Sequence, residues 1–233
     1  LLALADEKDA AVEVKVFNGQ NDSSILNQIG AKVVSDGYDA VIPIATLAAT
    51  CMVTATEETG TPVVYAAISD PESAGLVDIA NVTGTSDALN TAFILDMMFA
   101  VQPDIKTVGL LYSRSEVNSE TPIAQAKEYL DAKGVKYIEK TGNTTDEVLS
   151  AASELAERCD AVFTPTDNVV MAAESAVAEI LNEAGVPHYT GADSFVYSGA
   201  FTTCGVNYTE LGEKTAEMAF DILLGGEISA YKV

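Results

Sequence analysis

The chain is poor in the residues that most reaction chemistry draws on. It has one histidine, three cysteines and no tryptophan among 233 residues. A zinc site or a hydroxyl–imidazole–carboxylate triad needs histidine, and His188, beside Pro187, reads as an ordinary residue at a strand start. Cys51, Cys159 and Cys204 show no CxxC spacing and sit in apolar contexts, so they read as buried thiols rather than a disulfide framework. Basic residues are also scarce, with 12 Lys and Arg against 35 Asp and Glu and a formal net charge of -23. Such a surface repels a phosphate backbone, which excludes nucleic acid as a partner and leaves the acidity as a solubilising coat.

Other absences narrow the field further. No run approaches the ~20 apolar residues of a membrane span, and no basic start followed by an apolar segment marks a signal peptide, so the 233 residues read as soluble. There is no GxGxxG after the first strand, no GxxxxGK[ST] and no GxSxG, so dinucleotide binding, a phosphate loop and the hydrolase elbow all lack their motif. No cofactor, no metal and no enzymatic activity is expected. An α/β enzyme would be supported by fold class alone.

What is present is a rhythm. The composition is 48% hydrophobic, enough for a sizeable core, and β-branched runs alternate with segments of helical period. Strands are predicted at Val12–Phe17, Ala40–Ile44, Pro62–Ala67, Thr107–Tyr112, Lys136–Glu139, Ala161–Thr164, Val186–Thr190 and Phe201–Gly205. Helices are predicted at Ser23–Asp36, Ala48–Thr59, Ala88–Val101, Thr121–Lys133, Thr145–Arg158, Asn168–Ala184 and Thr209–Leu224. That alternation is the pattern of α/β parallel sheets covered by helices on both faces. Two stretches break it, "NVTGTSDALNTAF" and "GADSFVYSGAFTTCGVN", and both read as crossings between lobes. The expected division is residues 1–84 with 196–233 as the first lobe and 85–195 as the second. The opening "LLALADEKDAAVEVKVF" reads as the tail of a helix entering a strand, as if the first lobe lacked its N-terminal strand.

In open parallel sheets ligands bind beyond the carboxyl ends of the strands, where helix N-termini point their N–H groups outward. The residues at those places here are Thr46, Ser69 and Asp70, then Ser113, Ser115, Asn118, Ser119, Thr166, Asp167, Asn168, Asp193 and Ser194. All are hydroxyls, amides and carboxylates, with no nucleophile–base pair among them. Such a set suits a zwitterion. Helix-end N–H groups and hydroxyls accept a carboxylate, while Asp167 or Asp193 pairs with an ammonium. Each residue type is also an ordinary helix cap or turn former, so recurrence at successive strand ends carries the reading.

The stretches "VIPIATLAAT", "VVYAAISDPESAGLV", "NVTGTSD", "VGLLYSRSEVNSETPIAQAKEYLDAKGV", "FTPTDNVV" and "GAFTTCGVNYTELGEKTAEMAFDIL" together resemble the substrate-binding proteins of ABC transporters, in the tryptophan/tyrosine-type binding lipoprotein family. They run in family order from about Asp39 to Leu224. The resemblance implies two Rossmann-like lobes of the type I periplasmic-binding-protein fold, joined by a hinge and closing on a small amino acid-like ligand, an aromatic amino acid being the best-known cargo. It implies an extracytoplasmic monomer, periplasmic or lipid-anchored, that delivers its ligand to an ABC permease in the membrane. Ligand-binding positions then fall on Thr46, Ser69, Asp70, Ser115, Asn118, Ser119, Asp167, Asn168 and Asp193, with Asp167 or Asp193 for the ammonium and Thr46, Asn118 and Ser119 for the carboxylate. Phe17, Tyr65, Tyr112, Phe195 and Tyr197 are the rings that could stack on an aromatic ligand. The chain departs from the family's pattern at Leu47, where proline is usual. A ligand-sensing domain of a receptor or regulator with the same fold is the alternative reading.

Overall fold

The computed structural model describes residues 1–231, and they form two compact units. Unit 1 comprises Leu1–Ala88 and Asn207–Val233, and unit 2 comprises Leu89–Val206. Unit 1 holds helices α1 (Leu2–Glu7), α2 (Ser23–Asp36) and α3 (Thr46–Thr56), strands β1 (Val63–Ile68) and β2 (Val82–Ser86), and, after the return of the chain, α9 (Tyr208–Leu223). Unit 2 holds α4 (Thr91–Val101), β3 (Thr107–Tyr112), α5 (Glu120–Lys133), β4 (Lys136–Thr141), α6 (Thr145–Ala156), β5 (Ala161–Thr164), α7 (Asn168–Glu183), β6 (His188–Ala192), α8 (Asp193–Tyr197) and β7 (Thr202–Val206).

Every ladder is parallel. In unit 2 the five strands lie in the order β4-β3-β5-β6-β7, and in unit 1 β1 pairs with β2. Val63–Ile68 is apolar throughout because it is covered on both faces. Val63, Tyr65 and Ile68 pack with Val33 of α2 and Met52 of α3, whereas Val64 faces Ala219 and Ile222 of α9. The core of unit 2 is likewise built from β3, β5 and β6, through residues such as Val108, Leu110, Phe163 and Tyr189, against Ile94 and Met98 of α4 and Leu130 of α5.

Helix boundaries follow from caps. Asp22, Asn90, Thr144, Asp167 and Asn207 each accept a first-turn N–H with the side chain, so α2, α4, α6, α7 and α9 begin where a short polar acceptor precedes them. For α2 and α9 the cap lies one or two residues ahead of Ser23 and Thr209, the first residues of the helices predicted there. Gly134 ends α5 in the left-handed conformation that a side chain disfavours.

Three sequence expectations change in unit 1 and at its boundary. The expected strand Ala40–Ile44 runs parallel to β1 but forms only isolated bridges, Val41↔Val63 and Ile44↔Ala66, because Pro43 has no N–H to supply the middle rung. The expected strand Val12–Phe17 has no ladder partner among the described residues, and Val16 is 90% exposed. The expected return to the first lobe at residue 196 falls later, because β7 pairs with β6 and so belongs to unit 2. Cysteine burial also differs from expectation: all three thiols are free, but Cys51 is half-buried and Cys204 exposed, leaving Cys159 alone buried.

Gly84 of β2 is a point where the backbone needs the absence of a side chain, since a Cβ there would lie 2.2 Å from the Tyr65 carbonyl oxygen. Gly84→Ala should therefore force β2 from β1 and lower stability by about 2–3 kcal/mol, read as a reduced urea midpoint. A variant as stable as the parent would show that this contact relaxes at no cost.

Candidate functional site

All the residues singled out from sequence lie where a parallel strand, or the extended 41–44 segment, gives way to the element that follows. The two units are described in turn.

In unit 1, Thr46 opens α3, and Ser69 and Asp70 follow β1, so they leave adjacent chain segments at their carboxyl ends. Helix α3 has no side-chain cap, so its first-turn N–H groups remain open to an acceptor. The Thr46 residue is buried and its hydroxyl makes no hydrogen bond among the described residues. The backbone leading into α3 is strained: Ala45 has φ 70° and ψ 160°, and Ala67, at the neighbouring irregularity in β1, has φ 58°. Such conformations cost about 1–3 kcal/mol in a residue with a Cβ and tend to gather at ligand sites. Ser69 donates to Asp87 at 2.8 Å. Asp70 shapes its own turn, accepting from the Ser73 amide at 2.9 Å and the Ser73 hydroxyl at 2.7 Å.

In unit 2 one buried carboxylate gathers the loops. Asp167 is the cap of α7 through Oδ1, which accepts from Val170 N at 2.9 Å. Its Oδ2 accepts from Ser113 N and from Ser119 Oγ, both at 2.7 Å. The loop after β5 is thereby fastened to the loop after β3. Asn118 adds a second tie, donating from Nδ2 to the Thr166 carbonyl at 2.6 Å, and Asn168 a third, donating to Glu116 Oε2 at 2.8 Å. Ser115 and Ser113 share a hydroxyl contact at 2.7 Å, and Ser113 Oγ also donates to Asn143 Oδ1 at 3.0 Å. So Ser115, Asn118, Ser119, Asp167 and Asn168 are brought into one network.

Asp193 stands apart from it. It opens α8, is half-buried, and makes no hydrogen bond or ion pair among the described residues. Gly191, two residues earlier, packs so tightly on the Pro165–Thr166 backbone that a Cβ would come within 2.9 Å of Thr166 N. That contact sets the end of β6 directly beside the TPTDN loop.

The network changes the chemistry expected of several residues. The acceptors of Asp167 and the hydroxyl of Ser119 are committed to each other and to two backbone amides, and both residues are fully buried. Asn118 spends its donor on Thr166, leaving Oδ1 buried and without a partner. An orphaned buried acceptor calls for a donor. Of the rings, Tyr65 and Phe195 are core, Tyr112 is buried, Phe17 packs edge-on to Tyr38, and Tyr197 is 86% exposed.

Sequence reasoning missed Glu116, Asn143 and Asp87. Asn143, in "TGNTTDE", has the look of a helix-start residue, and Asp87 lies in a triplet read only as a crossing. His188 is also more than an ordinary strand residue. Its Nδ1 lies 3.0 Å from Glu174 Oε1 and its Nε2 2.8 Å from Thr164 Oγ1. The order of groups is that of a nucleophilic triad, but all three residues are at most 1% exposed, so no substrate reaches the hydroxyl. The chain braces β5, β6 and α7. Two surface hollows, one of about 730 Å³ between Thr107, Lys136, Tyr137 and Arg158, open at the amino ends of the unit 2 strands and contain none of the candidate residues.

Comparisons with known proteins bear on this arrangement. The sequence pattern of the ABC transporter substrate binding protein family matches residues 2–233. A tyrosine-binding protein of Clostridioides difficile is 32% identical over 222 residues, which are 93% of this chain and 64% of that protein. The chain thus spans less than two thirds of that relative's length. The crystal structure of the ABC domain in complex with L-Trp from Streptococcus pneumonia is 29% identical, with a TM-score of 0.91 over 100% of this chain and 81% of the other. A conserved domain protein of Vibrio cholerae gives a TM-score of 0.93 at 29% identity, again over 100% of this chain and 81% of the other. The architecture is that of type I periplasmic binding proteins.

Burial raises the Asp167 pKa above the ordinary aspartate value, outweighing the hydrogen bonds from Ser113, Val170 and Ser119 that lower it, and Glu116 adds to the rise. The folded protein therefore binds more protons than the unfolded chain between the ordinary value and the raised one, and this group's contribution to stability falls as pH rises through that window. Asp167→Asn should be less stable by about 2 kcal/mol, because an amide N–H must face the Ser113 N–H. Its deficit should be largest in acid and narrow as pH rises through the window, as measured by urea unfolding from acidic to neutral pH. A deficit independent of pH would remove the titration from Asp167.

Proposed function

Because the chain belongs to the ABC transporter substrate-binding protein family, we propose that it is an extracytoplasmic solute receptor of an importer, capturing an aromatic amino acid for a membrane permease. The observation that carries the reading is the groups that each unit leaves unsatisfied at its strand ends. Unit 1 offers the uncapped start of α3 with the Thr46 hydroxyl, a site for a carboxylate. Unit 2 offers the Asp193 carboxylate and the orphaned Asn118 Oδ1, a site for an ammonium. Carboxylate and ammonium are the two charged groups of an amino acid.

Asp193 is preferred to Asp167 for the ammonium, because the oxygens of Asp167 already accept three hydrogen bonds. Asp167, Ser119, Asn168 and Ser115 then act by holding the loops that present Asn118. Asp70 acts in the same indirect way on Ser69. The aromatic side chain is suggested by the relatives, one called a tyrosine-binding protein and one solved with L-Trp. Among the described residues no helix is long and apolar enough to cross a membrane.

The test is thermal unfolding against each of the twenty amino acids, since a ligand that binds only the folded state raises the midpoint by mass action. Phenylalanine, tyrosine or tryptophan should raise it while the others do not. Asp193→Asn should weaken the responding ligand about 10–100-fold, the loss of a charge-assisted contact, with little change in the midpoint of the free protein. Unaltered affinity in calorimetry would take the ammonium away from Asp193, and a shift with an acidic or aliphatic amino acid alone would replace the aromatic ligand.

A further inference from the structure

The Asp87 carboxylate lies where the chain leaves unit 1, one residue before its boundary at Ala88, and it is 4% exposed. Its two oxygens are divided between distant parts of the sequence. Oδ1 accepts from Ser69 Oγ at 2.8 Å, and Oδ2 accepts from the Tyr208 hydroxyl at 2.8 Å. Ser69 follows β1, and Tyr208 is the second residue of unit 1 after the chain has returned at Asn207. The backbone is tied at the same place, since Asp87 N donates to the Ile68 carbonyl at 3.3 Å. Two residues before Asp87, Thr85 Oγ1 meets Thr215 Oγ1 of α9 at 2.7 Å, a second link between the outgoing strand and the returning helix.

We propose that Asp87 is a clasp: one buried carboxylate that holds the Ser69 loop, the outgoing crossing and the incoming crossing at a single point of unit 1. Neither hydroxyl is charged, so the carboxylate is held by neutral donors. Loss of one donor leaves a buried oxygen without its partner rather than an exposed ion, which makes the clasp cooperative. A group that contacts Ser69 thereby acts on the two segments through which the chain passes to and from unit 2. Asp87 is a positioning residue in this scheme. The scheme's bearing on ligand binding rests on the function proposed above, whereas the clasp itself is a property of the free protein.

The deciding measurement is amide hydrogen exchange on the ligand-free protein, followed by mass spectrometry in peptides covering residues 66–71, 84–89 and 206–210. Tyr208→Phe keeps the ring and removes one donor. It should speed exchange about tenfold in all three segments, as expected for removing one hydrogen bond to a charged group, and leave α2, α3 and β1 unchanged up to Ala66. Ser69→Ala should reproduce the pattern, and the double variant should add little, because both act on one carboxylate. Faster exchange in 206–210 alone, or additive effects of the two substitutions, would overturn the clasp. A general rise throughout unit 1 would overturn it as well, since that is the signature of lost global stability. Asp87→Asn, if it folds, should give the same three-segment pattern. These outcomes are independent of whether any amino acid binds. Calorimetry with tyrosine and tryptophan on the parent decides that question. If the parent binds, Tyr208→Phe should weaken affinity about 3–10-fold although its ring is retained, and unchanged affinity would overturn the coupling of the clasp to Ser69.

Discussion

A parallel strand can be followed by its parallel neighbour only through a crossover, so every strand of such a sheet ends at the same edge. The rest of this structure depends on that constraint. It delivers Ser113, Asn143, Asp167 and Asp193 to the carboxyl end of one five-stranded sheet, although they span eighty residues of sequence. It also brings Thr46 and Ser69 to the ends of adjacent segments in unit 1. Crossover helices must start at that edge as well, and their unpaired N–H groups create a demand for acceptors there. Most helices meet the demand internally, with Asp22, Asn90, Thr144, Asp167 and Asn207. Helices α3 and α5 have no side-chain cap, and the start of α3 is approached through a strained alanine. A cap that is absent where the backbone has been forced out of its ordinary range leaves donors available to something outside the chain.

Much of this was readable from residues alone, because its causes are local. β-Branched runs give β3 and β5 to the residue, and a glycine in the left-handed region closes α5. The edge at which candidate residues collect follows from alternation of strand and helix. What was not readable depends on partners distant in sequence. The segment around Pro43 has strand composition, yet whether a rung is missing depends on which side of the strand faces β1. Phe201–Gly205 reads as a strand of the first lobe, and only its pairing with β6 places it in unit 2.

The same distinction governs the site. Asp167 was singled out correctly as a residue at the mouth of a strand, but its residue type does not disclose that Ser113 N, Ser119 Oγ and Val170 N occupy its oxygens. Asn118 is the sharper case. An amide can donate or accept, and only the Thr166 carbonyl 2.6 Å from Nδ2 determines which of its atoms is left over. Asp87 carried no local sign at all, since both of its hydroxyl donors come from other segments, one of them 121 positions away.

The charge balance joins these observations. With 35 acids and 12 bases, cations cannot neutralise most of the carboxylates, and the structurally important ones are satisfied by neutral donors instead. Asp167 takes two backbone amides and a hydroxyl, Asp87 two hydroxyls, and Asp160 the amides of Lys106 and Thr107 at the opposite edge of the unit 2 sheet. Each ties together segments far apart in sequence, so carboxylates do here what ion pairs do in a chain richer in lysine and arginine. A carboxylate at a strand end that has not recruited such donors is then conspicuous. Asp193 is one, beside a loop whose Asn118 oxygen also lacks a donor, in a protein with few cations of its own to supply. Two acceptors without donors at one edge of the unit 2 sheet are a local demand for positive charge that the chain's own side chains do not meet.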